Sequence, residues 1–187
     1  MLFVFSAPSG TGKTSIYKEI LQNNPEIEFS VSATTRKKRE GETEGMDYFY
    51  LEKDEFVKRV ERGEFVEFEK IFDNNFYGTL KSYIDGKIEE DRDVIFDLDV
   101  KGALSLKRIY KDKAVLIFIK PPNRNVIKER LQKRGTESEE TINNRLSRFD
   151  FEMEKIGEFN YVVINDDLKK AINEVQEIIN KYKSGVK

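Results

Sequence analysis

The stretch Leu2-Phe3-Val4-Phe5-Ser6-Ala7-Pro8-Ser9-Gly10-Thr11-Gly12-Lys13-Thr14 runs from an apolar segment into a glycine-bearing turn that ends in a lysine and a hydroxyl. Four successive apolar residues predict a strand buried on both faces, and the residues after Thr14 continue with helical period. A strand, a turn and a helix start aim several backbone N–H groups at one point, where the helix dipole adds partial positive charge. Gly10 and Gly12 are free to take positive φ where the backbone must approach phosphate. Lys13 contributes a mobile full charge, and Thr14 is placed to hold the magnesium that travels with a triphosphate. Ala7, Pro8, Ser9, Gly10, Thr11, Gly12, Lys13 and Thr14 thus have the layout of a phosphate-binding loop, which points to nucleoside triphosphate chemistry. Its usual first glycine is Ala7 here, a residue that needs negative φ.

Further apolar runs at 94–98, 115–119 and 161–164 are rich in β-branched and aromatic residues and predict more buried parallel strands. Segments of helical period at 15–22, 101–110, 123–134 and 167–182 connect or close them. This alternation predicts an α/β fold, a parallel sheet flanked by helices on both faces, with ligands at the carboxyl ends of the strands. Two regions break the rhythm. At about 30–91, a polar stretch is followed by aromatic residues 48–51, a helix at 53–62 and an alternating strand at 64–72, which predicts a small mixed β insertion. At about 123–157, Gly135 can end one helix, and Thr136 with Glu139 forms a capping box for the next, which predicts a helical hairpin. The chain then reads as one domain, with a core of 1–29, 92–122 and 158–187 carrying two insertions.

Composition removes several kinds of chemistry. The 187 residues include no cysteine and no histidine, so disulfides, thiolate metal sites and imidazole acid–base catalysis are excluded. A net charge of −2 with 36% charged residues means that acids and bases are interspersed, so nucleic acid is not an expected partner. No apolar stretch approaches the about 20 residues of a membrane span, and the first strand begins without a leader pattern, so a cytoplasmic location is expected.

Three groups of residues carry chemistry. In Ser30-Val31-Ser32-Ala33-Thr34-Thr35-Arg36-Lys37-Lys38-Arg39, followed by Asp47-Tyr48, two arginines three apart accompany hydroxyls and a phenol. Planar guanidinium forks can hold a phosphate monoester, although a solvated charged loop fits the same residues. Asp97 and Asp99 end the run 94–98, where a parallel strand delivers side chains to the ligand crevice, and a carboxylate there can face magnesium opposite Thr14. Arg130, Arg134, Arg145 and Arg148 gather on the hairpin.

Together with Gly45-Met46-Asp47-Tyr48, Tyr77-Gly78-Thr79, Asp97-Leu98-Asp99, Arg134-Gly135-Thr136-Glu137, Asn144-Arg145-Leu146 and Asn165-Asp166-Asp167, these motifs resemble the guanylate kinase family over nearly the whole chain. The resemblance implies a P-loop kinase fold with a GMP-binding insertion and a helical lid, and the reaction ATP plus GMP giving ADP plus GDP, with magnesium. It implies that Arg36, Arg39, Tyr48 and Tyr77 hold the GMP phosphate and that Ser32, Glu67 and Thr79 face the guanine. It also implies that one of Asp97 and Asp99 serves magnesium and the other the guanosine. Lys13, Arg134 and Arg145 would act on the transferring group, with Arg130 and Asn165 on the ATP side. Asn165-Asp166-Asp167-Leu168 also reads as the N-cap of the last helix. The resemblance leaves oligomeric state and tolerance of dGMP open.

Glu67 makes chemical sense as a selector, because one carboxylate can accept both N1–H and the N2 amino group of guanine and would repel the bare N1 of adenine. An outward residue of an amphipathic strand, in step with Phe65 and Glu69, fits the same pattern. Departures from the family pattern are Ala7, Lys101 in place of the usual glutamine, and one extra residue in the turn 72–76. A non-catalytic binding module of the same fold is opposed by Gly10, Gly12, Lys13, Thr14 and the hairpin arginines. A kinase for another nucleoside monophosphate is opposed by Glu67 and Thr79.

Overall fold

Every residue of β1 (Leu2–Ser6) is buried, because the strand lies at the centre of a sheet covered on both sides. Its alternation divides the core. Leu2 and Val4 pack with Val100, Ala103 and Leu106 on one face. Phe3 and Phe5 pack with Ile16, Ile20, Val175 and Ile179 on the other. A strand apolar on both faces is what a helix-covered parallel sheet requires.

The computed structural model describes residues 1–70, 75–123, 126 and 149–183. After β1 come α1 (Lys13–Asn23), β2 (Glu28–Phe29), β3 (Ser32–Thr34), β4 (Tyr48–Tyr50), α2 (Lys53–Glu61), β5 (Phe65–Lys70), β6 (Phe76–Leu80) and α3 (Lys81–Glu89). Then follow β7 (Val94–Asp97), α4 (Val100–Tyr110), β8 (Ala114–Lys120), β9 (Tyr161–Ile164) and α5 (Leu168–Lys183). The main sheet has the order β2-β7-β1-β8-β9, with every pairing parallel. The second sheet, β4-β3-β6-β5, is mixed: β3 runs parallel to β4 and antiparallel to β6, and β5 is antiparallel to β6. This is the α/β architecture with a mixed β insertion expected from the sequence. Among the described residues no helix is long and apolar enough to cross a membrane.

The small sheet has its own core. Phe56 of α2 is fully buried and stacks on Phe65 at 4.4 Å and on Phe76 at 5.4 Å between ring centroids. Stacked aromatic pairs add about 0.5–1.5 kcal/mol beyond their buried area. This cluster fixes β5 against β6, and with them the residues that face the main sheet.

Several elements lie outside the expectation. β2 is two residues long, too short to show a period, yet joins the main sheet beside β7. β6 contains Gly78, and α3 buries only Ile84, so neither has a strong sequence pattern. α1 begins at Lys13 rather than Ser15, because Gly12 is its N-cap. Gly135, the capping box of Thr136 and Glu139, and Arg130, Arg134, Arg145 and Arg148 lie outside the described residues.

Candidate active site

The phosphate loop is closed by its own backbone and hydroxyl. Thr11 donates to the Pro8 carbonyl twice, from its hydroxyl at 2.9 Å and its N–H at 3.3 Å. Gly10 and Gly12 have φ of 86° and 89°, which L side chains rarely adopt. A second restraint comes from the far end of the chain. Asn165, buried just past β9, donates from Nδ2 to the Thr11 carbonyl at 2.6 Å. A Cβ on Gly12 would lie 2.6 Å from that same nitrogen. The cap of α5 is Asp167, whose carboxylate accepts from the Lys170 N–H at 2.9 Å, so Asn165 is left to brace the loop.

Lys13 opens α1, and its ammonium group is ion-paired with Asp97 at the end of β7. Tyr17, one turn further along α1, stands beside both Asp97 and Thr14. Burial raises the Tyr17 phenol above its ordinary pKa, and the Asp97 charge adds to the effect. Thr14 itself is exposed at the mouth of the loop, while Ala7 packs against the core beneath it. A lysine, a carboxylate, an exposed hydroxyl and a glycine turn thus converge at the carboxyl ends of the central strands.

The two aspartates after β7 face different neighbours. Asp97 faces Lys13, whereas Asp99 caps α4 by accepting the Gly102 N–H at 2.8 Å and lines a cavity of about 670 Å³. Glu67, Lys101, Ser105, Phe151 and Glu152 also line it. Glu67 pairs with Thr79 across β5 and β6, and the Thr79 hydroxyl donates to its carboxylate at 2.6 Å. A register shift between Phe65 and Glu67 breaks the simple alternation: Phe65 and Val66 are both buried, and Glu67 turns into the cleft. Burial raises the Glu67 pKa above its ordinary value, with the charges of Asp99 and Glu69 adding to it and the Thr79 hydrogen bond opposing.

Close packing at this point depends on two glycines. A Cβ on Gly78 would stand 2.7 Å from the Glu67 carbonyl, and one on Gly102 would stand 3.1 Å from the Glu67 Cγ. Gly78 gives β6 room beside β5, and Gly102 gives the Glu67 side chain room beside α4. Lys101, the departure from the family pattern, places its ammonium 5.5 Å from the Phe151 ring centroid.

The second sheet gathers a cationic and aromatic cluster. The Arg36 guanidinium lies 5.1 Å from the Tyr48 ring centroid, and the Tyr48 and Tyr77 rings meet edge to face at 5.9 Å. Ser32 pairs with Tyr48 in the parallel register of β3 and β4. Arg36 is held by Glu42 through two hydrogen bonds of 2.7 and 3.0 Å. The Arg39 N–H and the Tyr50 hydroxyl also donate to Glu42, each at 2.7 Å. These donors, Arg36 foremost, hold the Glu42 carboxyl down at about 2. Burial and the Glu42 carboxylate push the Tyr50 phenol up to about 12. The Arg39 side chain is exposed beside this cluster. Sequence reasoning missed Glu42 and Tyr50: Glu42 sits in a run with Glu40 and Glu44, and only the fold singles it out.

The family model described as guanylate kinase matches residues 1–182 of this chain. The guanylate kinase of Chlorobaculum tepidum is 46% identical over 97% of this chain and 92% of its own length. That of Thermotoga maritima is 44% identical over 99% of this chain and 88% of its own. Among solved structures, a crystal structure of guanylate kinase from Anaplasma phagocytophilum matches with a TM-score of 0.70 at 26% identity, over 97% of this chain and 85% of that one.

Proposed function

The chain belongs to the guanylate kinase family, and from that premise we propose how its residues move a phosphoryl group from ATP to GMP. It is a nucleoside monophosphate kinase, an ATP:GMP phosphotransferase. The observation that carries the residue assignment is the placement of two groups of residues about the carboxyl end of β7. The phosphate loop with Lys13 and Asp97 stands on one side of the β7 end, and the pair Glu67 and Thr79 stands on the other, with Asp99 lining the same cavity as Glu67.

The attacking atom is an oxygen of the GMP phosphate, already anionic, so the reaction needs no general base. The absence of histidine from the chain is consistent with this. Attack in line on the γ-phosphorus displaces ADP, and catalysis is positioning plus charge stabilisation. Bringing two anions together is the obstacle. At about 5 Å and an effective dielectric of about 20, each pair of unit charges repels by roughly 3 kcal/mol, so several cations are required. Lys13 supplies one from the loop; Arg134 and Arg145, with Arg130 on the ATP side, supply others from the insertion at 123–157. Closure of the two insertions keeps water from accepting the phosphoryl group.

GMP enters the insertion at 30–91. Arg36, Arg39, Tyr48 and Tyr77 take its phosphate, while Glu67 accepts from guanine N1–H and N2–H beside Thr79 and Ser32. Asp99, next to Glu67, takes the guanosine side, which leaves Asp97 to the triphosphate side. Asn165 serves the ATP site by holding the loop in shape, a role its hydrogen bond to Thr11 supports.

The donor set fits magnesium. Thr14 and Asp97 are hard oxygen donors beside the loop, and among the described residues no group of three acidic side chains could form an all-protein cage. Such a pair suits an ion held mostly by water and phosphate. When bound, the ion neutralises charge developing between the β- and γ-phosphates.

The test is ADP release measured with GMP, AMP, UMP and dTMP as acceptors. Selective turnover of GMP is expected. Preference for another monophosphate, or ADP release independent of acceptor, would overturn the assignment.

A further inference from the structure

We propose that Tyr50 is a positioning residue for the acceptor's phosphate: its hydroxyl fixes the Glu42 carboxylate, and Glu42 in turn fixes Arg36 so that one edge of the guanidinium is presented to the incoming monoester. The inference rests on the assignment of Arg36 to the GMP phosphate.

The geometry distinguishes the edges of Arg36. A guanidinium carries five N–H donors in a rigid plane. Two of them go to Glu42, from Nη1 at 3.0 Å and Nη2 at 2.7 Å, and a third goes from Nη1 to the Lys37 carbonyl at 2.9 Å. The remaining pair, Nε–H and the second Nη2 hydrogen, lies along a single edge and forms a fork that matches two phosphate oxygens. Tyr77, assigned to the same phosphate, stands beside this guanidinium, its ring against that of Tyr48. Glu42 therefore leaves open the edge a phosphate needs, and both anions can hold Arg36 at once.

Tyr50 makes this arrangement rigid. Glu42 sits in the loop between β3 and β4, and its Oε2 takes three hydrogen bonds, from Arg36, the Arg39 N–H and the Tyr50 hydroxyl. Tyr50 is the last residue of β4, so its bond ties the loop to the sheet. Its ring also lies under the cation, with the guanidinium carbon 5.8 Å from the ring centroid, and meets Tyr48 edge to face at 5.9 Å. Without the hydroxyl, Glu42 keeps its other donors but loses its anchor to β4. Arg36 then spends part of its time in rotamers that do not present the fork, which weakens phosphate binding without touching the guanine site.

A competing role has the opposite sign. If Glu42 occupied Arg36 in place of the phosphate, loosening it would strengthen GMP binding. The decisive variant is Tyr50→Phe in the full chain, which keeps the ring and removes the hydroxyl, with Tyr50→Leu removing both. The expected result is a rise of about fivefold to tenfold in KM for GMP, the order for one ordinary hydrogen bond, because the lost bond reaches the phosphate only through Glu42 and Arg36. kcat at saturating GMP, KM for ATP and the inhibition constant of guanosine, which has no phosphate, should each change by less than about twofold. Tyr50→Leu should weaken GMP further. An unchanged or lower KM for GMP overturns the proposal, and so does an equal loss of guanosine binding, which would mark a general structural role. If the parent protein itself fails to bind GMP, the functional reading falls and this inference with it; if only the variant comparison fails, the functional reading stands.

Discussion

Lys13 and Asp97, separated by 84 residues in sequence, form an ion pair between the first residue of α1 and the last residue of β7. The pair lies where two adjacent parallel strands, β1 and β7, end side by side, so the topology brings the loop lysine and the strand-end carboxylate to one point. The phosphate of an incoming triphosphate and the metal that accompanies it can then divide the two charges between them. Lys13→Met should lower kcat by about 10²–10³, the order for losing one preorganised charge on the transferring group, while leaving GMP affinity within about twofold. Steady-state kinetics with each substrate varied in turn checks this.

Glu67→Gln separates selection from stability. Because burial raises the Glu67 pKa, the unfolded chain ionises first as pH rises through 4.5. Parent stability therefore falls until the raised folded-state value is passed. The amide carries no such cost and can still accept from Thr79, so the variant should melt higher than the parent at pH 7. The gap should close as pH falls below 4.5. Its discrimination for GMP over AMP should drop, with KM for ATP unchanged. Thermal melts across pH, together with acceptor kinetics, measure both halves.

Gly78→Ala should damage the guanine side through packing alone. The added Cβ would meet the Glu67 carbonyl at 2.7 Å, a Phe65 ring carbon at 2.8 Å and the Phe68 Cβ at 2.9 Å, two of which are not flexible side-chain ends. Relief requires β5 and β6 to separate, at a cost of about 1–3 kcal/mol. That movement also pulls Thr79 from Glu67. A lower melting temperature with a raised KM for GMP and an unaltered KM for ATP is the expected pattern.

The Arg36–Glu42–Tyr50 cluster has a defined pH window. Arg36 holds Glu42 at about 2, below its ordinary 4.5, so its contribution to stability is fully present above pH 4.5 and is lost as pH falls through about 2. Tyr50, pushed up to about 12 from 10.0, contributes below pH 10.0 and ceases to as pH rises through about 12. The stability difference between the parent and Glu42→Gln should therefore be flat between these limits and shrink as the solution is acidified from pH 4.5 toward 2. Solvent screening makes the effect small, so low ionic strength is the condition in which to measure it.

The legible parts of this fold are those where local pattern and burial coincide. Leu2–Ser6, Val94–Asp97 and Ala114–Lys120 announce themselves as strands because they are apolar and β-branched or aromatic in a parallel sheet. Tyr161–Ile164 is also a strand but not the buried one its apolar run predicts, since it lies at the sheet edge with Val162 and Ile164 exposed and only Val163 buried. The phosphate loop is legible because its glycines and Lys13 lie within four residues of one another. The second sheet is harder to read. β6 contains Gly78, which weakens any strand pattern, yet that glycine is what lets β5 approach closely enough to set Glu67 against Thr79. Glu42 and Tyr50 carry no local signal, since their roles consist of contacts with Arg36 across the loop. Asn165 shows the same limit: its sequence context suits a helix cap, and only the fold assigns the cap to Asp167 and aims Asn165 at Thr11.

Phosphorus NMR of ATP and GMP mixed with the purified chain and magnesium follows the transfer directly, because GDP, ADP and inorganic phosphate have separate signals. GDP and ADP should appear in equal amounts, with inorganic phosphate remaining a minor product. ADP forming with inorganic phosphate in place of GDP, or no conversion of either nucleotide, would contradict the assignment.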